Sequence, residues 1–440
     1  MNDDAMNPSY HFLGIGGIGM SALAQILIEK GEHVSGMDLR PFPSLEKQGI
    51  VPTKTLPKIG KVIYSTAIKK DHPDLIAARK NHLTLLHRSD LLQELMQEKK
   101  ALLVAGTHGK TSTSALLTWI LQSAGLSPTF AVGGILKNLK KNGGFGEGDY
   151  FVAEADESDG SFLNYQGEGA IITNIEKEHL DYWGTEENIV TGFKKFIAQV
   201  QDHNLLLWCA DDPLLKKIHP PGISYGRQGT LRLEKYKQLG MTGVFTATFK
   251  GHTYRDVQLP LMGEENTLNA LAVLGMALQL GIPEKEIREA FLTYKGVKRR
   301  LEKIGEEKRI ALYDDYAHHP TEIHSMLKAL KKGVGDRRLI ALFQPHRYTR
   351  TQLTDFSQAF IPADLIIITD IYSAGEKPLQ GVNGENLCKK FHTKNILFLA
   401  KKQLLSSIPK MLVPGDVLVT IGAGDITEIA YQLKEKLCSD

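Results

Sequence analysis

Short apolar runs alternate with amphipathic stretches along the whole chain. The runs "ALLVAG", "DYFVAEAD", "GAIITNI", "RIALYDD", "RRLIALF", "DLIIITD" and "DVLVTIGAG" have the length and β-rich content of buried strands. The stretches between them repeat their apolar positions every three or four residues, as helices do. After "ALLVAG", for example, Leu116, Leu117, Ile120, Leu121 and Ala124 share one helix face, and Gly125 supplies a stop. Strand and helix in strict alternation predict parallel sheets covered by helices, an α/β fold. No segment is of low complexity, and no repeat of fixed period is present.

The same pattern predicts three domains, a number that suits 440 residues. The first unit opens at "YHFLGIGGIG" and runs to about Gln97, where "MQEKK" reads as the charged end of a helix. A new strand begins at Ala101. The second unit continues through a polar, strand-rich stretch to the helix "NTLNALAVLGMALQLG", and a connector leads to a third unit near 300. The expected domains are residues 1–98, 99–298 and 299–440.

Composition narrows this little. The 41 glycines against 18 prolines fit many tight strand-to-helix turns. A net charge of +3 implies no polyelectrolyte partner, so no nucleic acid is expected. Cys209, Cys388 and Cys438 have neither metal spacing nor a pairing framework, which suits a reducing cytoplasm. The first residues show no basic-then-apolar signal, and no apolar run approaches 18 residues. The expectation is a soluble, cytoplasmic chain without membrane insertion.

Chemistry enters at the strand ends. "HFLGIGGIGMSALAQILIEKGEHVSGMD" is a strand, a Gly14-x-Gly16-x-x-Gly19 turn and a helix, with Asp38 closing the next strand. Glycines let a backbone approach a pyrophosphate at a helix N-terminus. That identifies a diphosphate but leaves NAD and a nucleotide sugar both open. In "VAGTHGKTST" only two residues separate Gly106 from Gly109, too few for the usual P-loop. Gly109, Lys110 and Thr111 still lie between a strand and a helix, where Lys110 can reach phosphates and Thr111 can hold Mg²⁺. "DYFVAEADESDG" delivers Glu154, Asp156, Glu157 and Asp159 beyond the next strand, and Glu154, nearest the strand, is the expected metal ligand. "AIITNIEKEHLDYWG" adds Asn174 and His179. Three strand ends with phosphate or metal chemistry predict an ATP site. Farther on, "YDDYAHHPTE" and "FQPHRYTRT" bring Asp314, Asp315, Tyr316, His318, His319, His346, Arg347, Tyr348 and Arg350 to two strand ends, a site for a small acid or an anionic intermediate.

The last five of these motifs, in this order, resemble the Mur ligases of peptidoglycan synthesis, whose ATP loop reads G-T-x-G-K-[ST], and the resemblance covers nearly the whole chain. The resemblance implies a Rossmann-like N-terminal domain, a central P-loop ATPase-type parallel sheet and a Rossmann-like C-terminal domain. It implies ATP- and Mg²⁺-dependent amide formation between the lactyl carboxylate of UDP-N-acetylmuramic acid and the amine of L-alanine, through an acyl phosphate. Carried onto this sequence, the catalytic residues are Lys110, His179, Arg347 and His318. ATP falls to Gly106, Thr107, Gly109, Lys110, Thr111, Ser112, Asn266 and Asn269, and the metal to Thr111, Glu154 and His179. Gly14, Gly16, Gly17, Gly19, Asp38, Ser65 and Arg88 take the sugar nucleotide; Tyr316, His346 and Arg350 take the amino acid. A monomer or weak homodimer is expected. One departure stands out: "EENTLNA" has Glu265 where the family commonly has histidine. Two alternatives are a recycling ligase that adds a tripeptide to the same sugar nucleotide, disfavoured by "PHRYTR" and "GIGGIGM", and an NAD-dependent oxidoreductase. The latter leaves Lys110, Glu154 and His179 without work.

Overall fold

All seven apolar runs form strands; of the three largely parallel sheets, the second holds three of them and the third holds four. The computed structural model describes residues 9–391 and 395–439. Contacts divide the chain into two compact units. The first comprises Met1–Lys235, Phe245–Gln258 and Leu268–Lys295, and holds the first sheet and most of the second; Tyr236–Val244, Leu259–Thr267 and Gly296–Asp440 form the other.

In the first sheet the strand order is Val51–Pro52, Val34–Met37, Tyr10–Leu13, Lys61–Tyr64, Thr84–His87, all parallel. The chain starts in the middle, builds outward to one side and then to the other. The end of Tyr10–Leu13 is therefore a topological switch point, where an α/β sheet leaves a crevice for a ligand. The Gly14–Gly19 turn sits there and leads into helix Ile18–Glu29. Met20 to Leu27 are buried all round that helix. Such burial means it is covered on more than one side.

The second sheet repeats the logic. Strand Lys100–Ala105 lies between Tyr150–Glu154 and Gly169–Ile172. Leu206–Cys209 and Ile223–Gly226 extend it on the Gly169–Ile172 side, and Thr129–Leu136 with antiparallel Lys141–Gly144 extend it on the other. Helix Lys110–Ser123 follows the central strand and buries Leu116, Leu117, Ile120 and Leu121. It ends as expected: Gly125 takes φ +73°, its N–H reaches Gln122 O at 3.2 Å, and the Leu126 N–H reaches Leu121 O at 3.0 Å. Ala124 is the cap residue itself and only half-buried.

The third sheet, in the other unit, runs Glu302–Glu307, Ile310–Asp315, Val417–Ile421, Leu339–Phe343, Leu365–Ile368, Ile396–Phe398, with only the first strand antiparallel. Apolar cores cover both faces, one around Phe343, Phe356 and Phe360 and the other around Leu342, Leu404 and Leu433. The last-made strand, Val417–Ile421, enters between Ile310–Asp315 and Leu339–Phe343, so Asp314, Asp315, Gln344 and Gly422 gather at one edge.

His11 makes the first sheet sensitive to acid. It is fully buried, its Nδ1 2.9 Å from Ser35 Oγ, and its Nε2 has no hydrogen-bond partner. Burial pushes the imidazole down to about 4, against a weaker pull from Asp74. An unfolded histidine binds its proton near 6.5, so the stability of neutral His11 is complete above that pH and is lost as pH falls toward 4. The loss amounts to about 3 kcal/mol across the window. Thermal midpoints at pH 7.5 and 5 should therefore converge in His11→Gln relative to the unaltered chain; an equal acid shift in both would assign the effect elsewhere.

Candidate active site

The loop after Lys100–Ala105 is shaped by what surrounds it. Gly106 adopts φ +130°, and a Cβ there would lie 2.1 Å from Thr173 Oγ1. Gly109 adopts φ +84° and caps the following helix with no side-chain cap bond, so the helix N–H groups face outward. A Cβ on Gly109 would meet both amide atoms of Asn269 at 3.1 Å. Thr107 and His108, the two residues inside the loop, are pinned to the strand end opposite. The Thr107 N–H donates to Asn174 O at 3.0 Å, and Thr107 Oγ1 accepts from the Glu176 N–H at 2.8 Å. Asn174 closes on the His108 backbone through both amide atoms, at 2.9 and 3.1 Å.

Lys110 Nζ donates to Gly106 O at 2.7 Å, to Thr107 O at 3.2 Å and to Glu157 Oε2 at 2.7 Å. Burial works against its ammonium, but Glu157, Asp156 and Glu154 outweigh that and hold it protonated. The second Glu157 oxygen is buried without a hydrogen-bond donor. Thr111 Oγ1 donates to Glu154 Oε2 at 3.2 Å, while Glu154 Oε1 accepts from Ser114 Oγ at 3.1 Å and from the Gly133 N–H at 2.5 Å. Ser112 lies in the first turn of the same helix. His179, in a left-handed conformation with φ +53°, places Nε2 3.7 Å from Glu178 and 3.9 Å from Glu157. Trp183 anchors the far side, its indole N–H donating to Glu157 O at 3.0 Å.

At the first sheet the Gly16 N–H donates to Asp38 Oδ2 at 2.9 Å, so Asp38 braces the glycine turn. Arg88 lies against Gly19, where a Cβ would be 3.2 Å from its guanidinium, and stands 3.7 Å from both Asp156 and Asp159. Thr66 Oγ1 donates to Asp159 Oδ2 at 2.8 Å. Ser65 precedes it and accepts the Ile68 N–H through its carbonyl at 2.9 Å. The residues expected to take the sugar nucleotide and the acidic strand end are thus joined within one unit.

The other unit assembles most of the remaining expected residues. Tyr316, His318, His346 and Tyr372 form a row, with ring centroids 5.7, 5.8 and 5.7 Å apart. Arg350 Nη1 lies 3.5 Å from His346 Nδ1. Burial, then His318 and the two arginines, pushes His346 down to about 4, so it is a neutral imidazole near pH 7. The guanidiniums of Arg299 and Arg300 lie 4.9 and 5.2 Å from the Tyr316 ring centre. Arg347 faces Glu376, Nε to Oε1 at 2.7 Å, with an uncommon φ of +69°. Burial alone would raise Glu376; the Thr349 hydroxyl and N–H and Arg347 outweigh it and hold its carboxyl at about 2. Asp315 is pushed by burial up to about 6, against Arg300 and the Ala317 and Leu301 N–H groups. The Asn266 amide donates to Met262 O at 2.7 Å.

Several site residues carry no sequence expectation of a role. Glu157 was one of four similar carboxylates until its contact with Lys110 distinguished it. Arg299 donates to Gly422 O and Gly424 O at 2.7 and 2.9 Å, and so ties the turn "IGAGDIT" to the sheet. Gln344, 2% exposed, bonds Asp425 at 2.8 Å and the Ile426 N–H at 3.1 Å across that turn. That turn is held in place by these hydrogen bonds. Arg299, Tyr372 and Glu376 sit outside any motif, and no local signal marks them.

Known proteins show the same order of parts. Residues 9–100 match the family model for the Mur ligase catalytic domain, 104–277 that for the Mur ligase middle domain, and 299–424 that for the Mur ligase glutamate ligase domain. A UDP-N-acetylmuramate–L-alanine ligase of Protochlamydia amoebophila is 40% identical over 443 residues, 97% of this chain and 98% of that protein. The crystal structure of the UDP-N-acetylmuramate–alanine ligase of Thermotoga maritima superposes with a TM-score of 0.85 at 28% identity, covering 98% of this chain and 99% of that one. A murein peptide ligase from Psychrobacter arcticus shares the fold, with a TM-score of 0.71 at 24% identity over 98% of both chains. With three domain models matched in sequence order and a relative this similar along its whole length, the chain belongs to the Mur ligase family.

Proposed function

We propose that this chain joins the amine of L-alanine to the lactyl carboxylate of UDP-N-acetylmuramic acid at the expense of ATP, in peptidoglycan precursor synthesis. The observation that carries the reading is the meeting of Lys110, Thr111, Glu154 and Glu157 beside a glycine-lined helix N-terminus. Outward N–H groups and a protonated lysine fit the phosphates of a nucleoside triphosphate, and the buried Glu157 oxygen with no donor fits a cation that accompanies them. The hydroxyl and carboxylate oxygens of Thr111 and Glu154 are donors of the kind Mg²⁺ takes, and His179 stands nearby. Bound there, Mg²⁺ would neutralise phosphate charge.

Phosphoryl transfer asks the protein for position and charge compensation. Lys110 neutralises charge on the transferring phosphoryl group, Gly106 to Ser112 hold the phosphates, and Asn269 and Asn266 serve the adenine side. The substrate carboxylate attacks the γ-phosphorus and ADP leaves; the alanine amine then attacks the acyl carbon and phosphate leaves. Gly14, Gly16, Gly17, Gly19, Asp38, Ser65 and Arg88 hold the sugar nucleotide. Tyr316, His318, His346, Arg347 and Arg350 handle the amino acid, an arginine taking its carboxylate. Domain limits at 1–98, 99–298 and 299–440, a monomer or weak homodimer and a cytoplasmic setting complete the reading. No helix among the described residues is long and apolar enough to cross a membrane, in keeping with it.

The test is phosphate release with Mg²⁺, ATP and UDP-N-acetylmuramic acid, adding L-alanine, glycine, L-serine or the tripeptide in parallel. Release strongest with L-alanine is expected. Release with the tripeptide alone would move the chain to the recycling reaction.

A further inference from the structure

One hairpin touches both halves of the chemistry. Its strands, Thr129–Leu136 and Lys141–Gly144, pair antiparallel with a register shift between Ala131 and Leu136. Gly133 lies in that irregular stretch, and its N–H bonds Glu154 Oε1 at 2.5 Å. A Cβ on Gly133 would stand 2.7 Å from Glu154 Oε2 and 3.0 Å from Thr111 Oγ1, so only glycine lets the backbone come this close.

The opposite strand grips helix Ile18–Glu29. Asn142, 2% exposed, donates from Nδ2 to Ile18 O at 2.6 Å and to Ser21 Oγ at 3.1 Å. Its Oδ1 accepts from Gln25 Nε2 at 3.1 Å. Ile18 is the first residue of the helix, directly after the Gly17 cap, which has no side-chain cap bond of its own. Gly143 brings the strand against the helix backbone, for a Cβ there would fall 2.3 Å from Ala22 O. Glu29 closes the far end, accepting the Phe145 N–H at 3.0 Å and pairing with Lys141.

From this geometry we infer that Asn142 is a positioning residue for the sugar nucleotide: through Ile18 O and Ser21 it sets where the diphosphate-binding turn stands relative to Glu154 and Thr111. The inference rests on the function proposed above. A ligase must bring a carboxylate held by one loop into line with a phosphorus held by another, and small misplacements of reacting groups cost rate steeply. The hairpin contacts both the first turn of this helix, through Asn142, and Glu154, through Gly133. A buried three-bond clamp across two sheets holds position better than exposed ion pairs would.

The test compares the unaltered chain with Asn142→Ala and Asn142→Leu, the second retaining side-chain volume without a donor. Calorimetry measures binding of UDP, of UDP-N-acetylmuramic acid and of ATP; kinetics gives kcat with L-alanine. In both variants affinity for UDP and UDP-N-acetylmuramic acid should fall about tenfold and kcat by about 10- to 100-fold, with ATP affinity within about twofold. Equal losses for ATP and UDP would make Asn142 merely structural and overturn the inference, as would no loss for either. Failure of alanine-dependent phosphate release in the unaltered chain would sink the proposed function, yet the UDP comparison would still decide the role of Asn142.

Discussion

Lys110→Ala is expected to lower alanine-dependent phosphate release by on the order of a thousandfold, the scale of losing a preorganised cation at a charged transition state. The Nζ atom is held by Gly106 O, Thr107 O and Glu157 at 2.7, 3.2 and 2.7 Å, so its position is fixed before any ligand arrives. Preorganisation of this kind means that no reorganisation is needed during the reaction. The substitution has a second effect. It strands Glu157, which is 2% exposed, and removing one partner of a buried pair costs about 3–5 kcal/mol. The two effects separate in the double variant Lys110→Ala, Glu157→Gln, whose thermal midpoint should recover while its activity does not. A single variant that kept more than about a tenth of the rate would take Lys110 out of the chemistry.

Glu154→Gln is the second large effect. The amide keeps the shape of the carboxylate, and its oxygen can still accept from Gly133 N–H and Ser114 Oγ. What is lost is the charge, together with the acceptor for the Thr111 hydroxyl at 3.2 Å. Half-saturating Mg²⁺ should rise by about 10- to 100-fold and kcat should fall by about a hundredfold at saturating metal. Titrating Mg²⁺ in the phosphate-release assay reads both. An unchanged metal dependence with lowered kcat would leave Glu154 as the organiser of Thr111 and Gly133 alone.

What can be read in the sequence is what is decided locally. Seven buried strands announce themselves because a strand covered on both faces must be apolar throughout. The helix after Lys110 announces its end because only glycine takes the left-handed cap cheaply. The hairpin at 129–144 does not show. Its strands contain Gly133, Gly134, Gly143 and Gly144, which lower β-propensity, and Gly133 and Gly143 answer to partners distant in sequence, Glu154 and Thr111 in one case and Ala22 in the other. The site divides in the same way. Lys110, Thr111 and Glu154 follow from strand-loop-helix order. The choice of Glu157 as the partner of Lys110 depends on how the turn after Glu154 folds back, and Arg299 reaches Gly422 and Gly424 over more than a hundred residues of chain. Asn266 and Asn269 look equivalent in "EENTLNA", yet one amide bonds Met262 O four residues upstream and the other faces Gly109.

The Asn142 clamp also has a consequence in time. A ribosome delivers residues 18 to 29 long before residue 142, whose partner Gln25 lies 117 positions upstream. The face of the helix destined for the hairpin must wait in water through all of that synthesis. It carries Ser21 and Gln25 there, and Ala22 where Gly143 will press, rather than leucines. A newborn chain with this face uncovered offers chaperones and neighbouring chains little to hold, and it closes only when a matching amide emerges.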